Sequence, residues 1–227
     1  MKNWILIALS FTYLSFIGIV VGYDIYDHEK ETLAINDYEL NELSDKIINS
    51  TVIIETRVKD PKELAKAQRF GIVGHGTGFF YDVNDDSAIV ITNHHVIESA
   101  IELPQVVKII VSTTTRPWDY EAEIIGYDKI TDLAVLRIKK IDKEVEWKPI
   151  PWYDINKTVK EGTSILTVGH GLGQFWGVST GVISATLRWT IQPYNFMVQH
   201  SAVINLGSSG GPVVNMQGEL VAVNDMI

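Results

Sequence analysis

Short runs of β-branched and aromatic residues, separated by turn residues, recur along the chain from Ser50 to its end. About eleven such runs, with almost no helical periodicity between them, predict an all-β chain folded as an antiparallel barrel or sandwich. Glycines inside the runs, among them Gly78 and Gly181, are typical of strands that bend around a barrel. The predicted strands span residues 51–58, 77–83, 88–92, 106–111, 120–127, 132–138, 164–169, 177–187, 197–199, 212–215 and 220–223.

Composition restricts the classes of function. The chain has 19 Lys and Arg against 28 Asp and Glu, a formal charge of −9. This balance argues against nucleic acid as a partner, because phosphate binding depends on clustered cations. With 46% hydrophobic and 21% charged residues, the chain has the composition of a globular protein. It contains no cysteine, so disulfide scaffolds, cysteine–zinc sites and a cysteine nucleophile are excluded.

Residues 1–22 differ from the rest of the chain. An apolar run without charge extends from Trp4 to Gly22, with Lys2 before it and Asp24 after it. The run is long enough for a tilted membrane helix, and the charge asymmetry predicts a cytoplasmic N-terminus with the remainder outside. The alternative is a cleavable signal peptide that ends in small residues at Val20 and Gly22. The length of the run favours an uncleaved anchor.

Residues 23–46 form an acidic segment. It contains eight acids and two lysines, and Leu40, Leu43 and Ile47 recur at helical spacing in and just after it. We interpret this segment as a solvated stalk that leads into a short amphipathic helix. Its charge serves solubility rather than binding.

The motif GSSGGP at residues 207–212 is the first of three that carry chemistry. Glycines on both sides of the serine pair allow a tight turn in backbone conformations that other residues avoid. Such a turn can direct several N–H groups at one point, as an oxyanion hole requires. Taken alone, the motif is more typical of a plain glycine-rich hairpin.

Two further motifs supply the partners that a serine nucleophile needs. TNHHV at residues 92–96 places His94 and His95 between a predicted strand and a helical turn, and histidine is the base whose pKa suits neutral pH. TDLAVL at residues 131–136 places Asp132 at the start of an apolar strand, where a carboxylate can orient an imidazole. The separate alternatives are capping histidines and an aspartate that only begins a strand. Together, the order His, Asp, Ser on a β-rich chain favours a catalytic triad.

In these motifs the chain resembles the HtrA/Deg family of trypsin-like serine proteases. The resemblance runs from about Leu43 to the end, through segments such as ITNHHVI, YDKITDLAVLRI and LGSSGGPVVN. It implies a chymotrypsin/trypsin-like double antiparallel β-barrel behind the N-terminal transmembrane or signal helix. The first barrel is expected at residues 47–145 and the second at residues 146–227.

The resemblance also implies the roles of individual residues. His95 becomes the general base, Asp132 the carboxylate that orients it, and Ser209 the nucleophile. The backbone N–H groups of Gly207 and Ser209 become the oxyanion hole. His94 competes with His95 for the role of base, because adjacent side chains cannot both enter one cleft, and the family motif favours the second histidine. No metal and no organic cofactor are expected.

The same resemblance locates a substrate pocket. Its wall and base are expected near Val203, Asn224, Asp225 and Met226. Because Val203 is apolar, a small or medium apolar side chain before the scissile bond is predicted. Asp225 is the one acid near this pocket that would change that preference. The stretch from Asn224 to Met226 is expected to pair with the substrate backbone as an added strand.

The implied function is a serine endopeptidase that hydrolyses unfolded or exposed polypeptides through an acyl-enzyme. Its expected partners are polypeptide substrates, the membrane through the N-terminal segment, and two further copies in a candidate homotrimer. It is expected on the extracytoplasmic side of a membrane, periplasmic in a bacterium, or secreted if the N-terminal segment is cleaved.

A second hypothesis stays open at the level of the sequence. The chain stops at Ile227, where the family continues with a final strand, so the second barrel is expected to be incomplete. The alternative function is a non-catalytic, protease-like binding or chaperone-like module, or a fragment, that keeps the triad residues.

Overall fold

A computed structural model describes residues 27–60, 62, 74–115, 119–154, 156–171, 175–189 and 196–225. The chain forms two compact units, Met1–Asn36 and Asp37–Ile227. The predicted membrane or signal segment, residues 1–22, lies outside the described residues, as does the predicted pocket residue Met226. Within the described ranges, no helix is both long enough and apolar enough to span a bilayer.

The described ranges contain two helices and eleven strands. The helices are α1 (Asp27–Ser50) and α2 (His94–Glu102). The strands are β1 (Thr51–Val58), β2 (His75–Val83), β3 (Ser87–Asn93), β4 (Val107–Ser112), β5 (Asp119–Asp128), β6 (Leu133–Lys139), β7 (Ser164–Gly169), β8 (Gly177–Trp189), β9 (Phe196–His200), β10 (Pro212–Asn215) and β11 (Leu220–Val223).

The first six strands form a closed antiparallel barrel in the order β1-β2-β3-β6-β5-β4. Alternate residues of each strand face its interior, as Val52 and Ile54 of β1 do, and these side chains are fully buried. Leu136 and Ile138 of β6 join them in the same apolar core. Closure removes the unpaired strand edges that an open sheet would expose.

The last five strands form a second antiparallel sheet in the order β11-β10-β7-β8-β9. This sheet is open, with β9 and β11 at its two edges. The predicted pair of barrels is therefore one closed barrel and one half-barrel. The all-β prediction is confirmed for the described ranges, where α2 and the helix that precedes β1 are the only helices.

Helix α1 packs its apolar face into a core that the barrel and the second sheet share. Leu43 and Ile47 are buried there against Phe79 of β2 and Leu166 of β7. The described part of the helix already spans Asp27–Ser50, so it is longer than the short helix predicted from apolar spacing. Residues 27–46 are rich in Glu and Leu, which propagate a helix without any need of an apolar face.

Strand register brings together the chain segments that carry the three motifs. In the barrel, Asn93 at the end of β3 pairs with Leu133 at the start of β6, so α2 begins beside Asp132. In the second sheet, Pro212 at the start of β10 pairs with Val223 at the end of β11. The motif that precedes β10 therefore lies beside the residues that follow β11.

Candidate active site

His95 and Asp132 form a tightly hydrogen-bonded pair. The two side chains meet at 2.5 Å between His95 Nδ1 and Asp132 Oδ2. The backbone N–H of His95 also donates to Asp132 Oδ1, at 2.9 Å. Asp132 thus accepts two hydrogen bonds from one residue, which fixes the plane of its carboxylate and the orientation of the imidazole. The other ring nitrogen, Nε2, makes no hydrogen bond with the residues that the structure describes.

Asp132 has an unusual backbone conformation, with φ at 51°. A non-glycine residue in this left-handed region is strained unless its surroundings hold it there. The surroundings do so here, because the carbonyl oxygen of Asp132 accepts from the His94 N–H at 3.0 Å and from Asn93 Nδ2 at 2.8 Å. Asn93 is itself almost fully buried. The strain therefore occurs at the residue that orients His95.

Ser209 lies on a compact turn between β9 and β10. The turn is closed by hydrogen bonds from Ser208 N to Asn205 O and from Gly211 N to Ser208 O, at 2.8 and 3.0 Å. Gly207 and Gly210 have φ of 101° and 85°, which only glycine adopts without strain. The glycine-rich motif is thus a rigid turn next to the barrel and not a plain β-hairpin.

The two backbone N–H groups predicted to form the oxyanion hole make no hydrogen bonds among the described residues. Among the described residues, neither the N–H of Gly207 nor that of Ser209 donates to an acceptor. Gly207 has no room for a side chain, because a Cβ there would lie 2.6 Å from His170 O and from His75 Nε2. Free N–H groups on a turn held this closely are suited to binding a developing negative charge.

Asp225, two residues beyond the end of β11, approaches the site with two of its groups. Its carbonyl oxygen accepts a hydrogen bond from Ser209 Oγ at 3.1 Å. Its carboxylate clusters with His95 and Asp132, so that one nitrogen or oxygen atom from each of the three side chains lies within 4.8 Å of the others. No hydrogen bond joins Ser209 to His95 within the described ranges, since the hydroxyl donates to Asp225 instead.

Burial, hydrogen bonds and neighbouring charges shift the pKa of each of these three groups. The hydrogen bond to Asp132 raises the pKa of His95 above 6.5, against burial, and the charges of Asp132, Asp225 and Glu98 add to the rise. Burial alone would raise the pKa of Asp132, but the hydrogen bonds and charge of His95 hold it below its ordinary value. Burial and then the adjacent Asp132 raise the pKa of Asp225 to about 6. The cluster therefore contains one firmly ionised acid, one base and one acid that titrates in mild acid.

The hydrogen bonding in this cluster suits proton transfer better than metal binding. Three side chains within this distance of one another can in general hold an ion. Here, however, both oxygens of Asp132 already accept hydrogen bonds from His95. A carboxylate that fixes an imidazole in this way leaves the base free for acid–base work.

A comparison with protein families identifies the fold. The family model for the trypsin-like peptidase domain matches residues 76–223. The chain belongs to the trypsin-like peptidase family. The crystal structure of Deg5 superposes on this trypsin-like chain with a TM-score of 0.66, covering 90% of it and 88% of Deg5, at 24% sequence identity. The trypsin-like fold predicted from the motifs is confirmed.

Curated relatives of this trypsin-like chain are HtrA/Deg proteins. It is 32% identical over 170 residues to a probable periplasmic serine endoprotease DegP-like of Buchnera aphidicola, covering 74% of this chain and 32% of that protein. It is 36% identical over 154 residues to a DegP-like protein of Chlamydia trachomatis, covering 67% and 28%. It is 32% identical over 159 residues to the chloroplastic Protease Do-like 1 of Arabidopsis thaliana, covering 68% and 33%. The chain spans about a third of the length of these relatives, and their similarity confirms the predicted HtrA/Deg resemblance.

The predicted pocket residues of this trypsin-like chain do not line one cavity. Val203 is 71% exposed and lines a cavity of about 380 Å³, whereas Asn224 and Asp225 line a separate one of about 240 Å³. The Asn224 side chain is buried and already engaged, since its Nδ2 donates to Thr167 Oγ1 at 2.7 Å. Of the three predicted pocket residues that the structure describes, Val203 is the one that lines the cavity beside the Ser209 turn.

Thr77 of β2 is a positioning residue that the sequence did not single out. Its N–H donates to Ser209 O at 2.8 Å and its hydroxyl donates to Gly207 O at 2.7 Å. Its own carbonyl oxygen accepts from Thr92 Oγ1 at 2.6 Å. Thr77 thus holds the Ser209 turn against the barrel. The only signal in the sequence is a threonine between two glycines, in the segment GTG at residues 76–78.

Proposed function

We propose that this chain is a serine endopeptidase that acts through His95, Asp132 and Ser209. One observation carries the proposal: an imidazole hydrogen-bonded to a strained, well-held aspartate lies at the same site as a serine on a rigid glycine turn. The names of the relatives, which include serine endoproteases, support the same reaction.

The reaction follows from the roles of the three side chains. Ser209 Oγ attacks the carbonyl carbon of a peptide bond while His95 Nε2 takes its proton. The Ser209 hydroxyl donates to Asp225 O in the structure, so this step requires its side chain to rotate toward His95. Asp132 stabilises the imidazolium through the hydrogen bond at Nδ1. The proton then passes to the leaving amine, and water hydrolyses the acyl-enzyme.

The Gly207 and Ser209 N–H groups stabilise the tetrahedral intermediate. They are free of other acceptors in the described structure, so no hydrogen bond has to break before they bind the oxyanion. Loss of one such donor typically costs about 3–4 kcal/mol of transition-state stabilisation. The reaction needs no cofactor.

Fluorophosphonate labelling tests the proposal. The reagent modifies a serine only when its base and oxyanion hole are assembled. We expect the full chain to be labelled and the Ser209→Ala variant to show no labelling. Ser208→Ala is the matched control, because Ser208 is the adjacent serine but its side chain is buried, and this variant should still label. A folded wild-type chain that does not react with the reagent overturns the proposal.

A second candidate function is a non-catalytic, protease-like binding module. It is favoured by the hydrogen bond that directs the Ser209 hydroxyl to Asp225 O instead of to His95. The same labelling experiment separates the two functions. A chain that binds unfolded polypeptides but is never labelled would be the binding module.

We propose a preference for small or medium apolar side chains before the scissile bond. The cavity beside the Ser209 turn has no charged residue in its described lining, and Val203 forms part of its wall. In a peptide library, cleavage after Val, Ala or Leu should exceed cleavage after Lys or Arg. The variant Val203→Asp should raise cleavage after Lys and Arg at least about tenfold. Val203→Asn is the uncharged control, and a wild-type preference for Lys or Arg would contradict the assignment.

We further propose that the enzyme is anchored in a membrane by residues 4–22, with its catalytic part on the extracytoplasmic side. The uncharged run between Lys2 and Asp24 supports the anchor. The names of two relatives, one periplasmic and one chloroplastic, support a location outside the cytoplasm.

Unfolded or exposed polypeptides are the proposed substrates, and a homotrimer, as in many HtrA/Deg proteins, is the proposed assembly.

A further inference from the structure

The hydrolytic mechanism uses three side chains but leaves a fourth ionisable group at the site without a role. The Asp225 carboxyl lies within 4.8 Å of the nearest donor or acceptor atoms of His95 and Asp132. The same residue accepts the Ser209 hydroxyl with its carbonyl oxygen. Asp225 thus hydrogen-bonds Ser209 and lies within 4.8 Å of the other two members of the triad. It is half-buried, so water screens its charge only in part.

Two carboxyl groups at this separation are not both ionised without a cost, because like charges in a partly buried site repel each other. Asp132 keeps its charge, since its two oxygens accept hydrogen bonds from His95. The proton of the pair therefore resides on Asp225 in mild acid, in keeping with the rise of the pKa of Asp225 to about 6 through burial and the adjacent Asp132.

We propose that Asp225 is a positioning residue with two states: when protonated it donates a hydrogen bond to Asp132, and when ionised it adds a second negative charge that stabilises protonated His95. The proposal rests on the function proposed above, because it assigns His95 as the base. Under this proposal, the pH at which His95 loses its proton and can act as a base depends on a carboxyl group outside the triad.

Other titratable groups lie around this cluster, on α2 and on β9. From α2, Glu98 adds to the rise in the pKa of His95, but it is also paired with Lys129 at 3.5 Å. His94 Nδ1 lies 3.9 Å from Asp132 Oδ1. From β9, His200 Nε2 bonds Asn224 Oδ1 at 3.1 Å, next to Asp225 in the chain. None of these groups replaces Asp225, since Asp225 is the acid that clusters with both His95 and Asp132.

The variant Asp225→Asn isolates the charge. An amide keeps a hydrogen-bond donor for Asp132 but cannot ionise, so protonated His95 loses one stabilising charge and its pKa falls. We expect the rise of kcat/KM with pH to move to lower pH by about 0.5–1 unit in this variant, the lower end of what a neighbouring charge produces. The wild-type rise should also be broader than one titration, because two coupled groups contribute to it.

Asp85→Asn is the matched control. It removes the same charge from an exposed turn between β2 and β3, and its pH profile should coincide with that of the wild type. Asp225→Ala removes the charge and the hydrogen bond together. It should show the same shift as Asp225→Asn and a plateau of kcat/KM close to that of the wild type, because at the pH of the plateau Asp225 is ionised and donates no hydrogen bond to Asp132. A role limited to packing would lower the plateau without moving the midpoint.

A readout independent of activity keeps the two proposals separable. The imidazole C–H resonances of the full chain are titrated by NMR, with the His95 signal assigned by its loss in His95→Ala. The His95 midpoint should fall by the same amount in Asp225→Asn as the kinetic midpoint does. If Ser209-dependent labelling is absent but the NMR shift occurs, the proposed function fails and the coupling stands. If His95 titrates identically in wild type and Asp225→Asn, the inference about Asp225 is wrong.

Discussion

The variant His95→Ala should lower kcat/KM for peptide cleavage by about 10⁴- to 10⁶-fold, because without its base the Ser209 hydroxyl is no nucleophile at neutral pH. The remaining rate would come from the oxyanion N–H groups and from substrate binding. The measurement is steady-state cleavage of a fluorogenic peptide by the full chain. Thermal unfolding of the same samples shows whether the folded structure is retained, which we expect because the His95 side chain is half-exposed.

The neighbouring histidine is the matched control. His94 is buried, with its ring 5.2 Å from that of Tyr127, and its Nε2 has no hydrogen-bond partner in the described structure. It is buried at the start of α2, so His94→Ala should keep kcat/KM within about fivefold and should instead lower stability by about 1–3 kcal/mol. The opposite pattern, with activity lost in His94→Ala and kept in His95→Ala, would show that the base has been misassigned.

The strands could be predicted from the sequence because each is a short apolar or alternating run between turn residues. Four strands begin and end where the pattern put them, namely Thr51–Val58, Ser164–Gly169, Pro212–Asn215 and Leu220–Val223. Each of the other strands differs by one or two residues at an end. The length of α1 could not be predicted, since its first half has no apolar face to reveal it. Helix propensity alone extends it to Asp27.

The triad could be proposed from the sequence because its members occur in local motifs whose residue types suit the chemistry. The roles of Thr77 and Asp225 could not, because both depend on how distant segments pack. Thr77 reaches the nucleophile turn only when the barrel lies against the second sheet, where it donates to Gly207 O. Asp225 was predicted only as a pocket residue, and the clustering of its carboxyl with His95 and Asp132 was not foreseen. The spacing of these residues along the sequence does not predict such contacts.

The variant Gly210→Ala should cause the largest loss of stability among single substitutions at the site. Gly210 has φ of 85°, and a Cβ there would lie 2.1 Å from Thr77 O and 2.4 Å from Thr92 Oγ1. These two buried atoms hydrogen-bond each other inside the barrel, so neither can move without breaking that bond. We expect a loss of about 3–5 kcal/mol in the free energy of unfolding, which lowers Tm by about 6–20 °C for a unit of this size.

Substitutions at two other glycines separate the cost of a left-handed backbone from the cost of a steric clash. Gly162 has φ of 83° with nothing within 4 Å of an added Cβ, so Gly162→Ala should cost only the left-handed backbone, about 1 kcal/mol. Gly126 also has open space, without the positive φ, and Gly126→Ala should change stability by less than about 0.5 kcal/mol. Gly210→Ala should lose fluorophosphonate labelling as well, because the displaced turn carries Ser209. If Gly210→Ala costs no more than Gly162→Ala, the tight packing of the turn against Thr77 is not what holds the nucleophile in place.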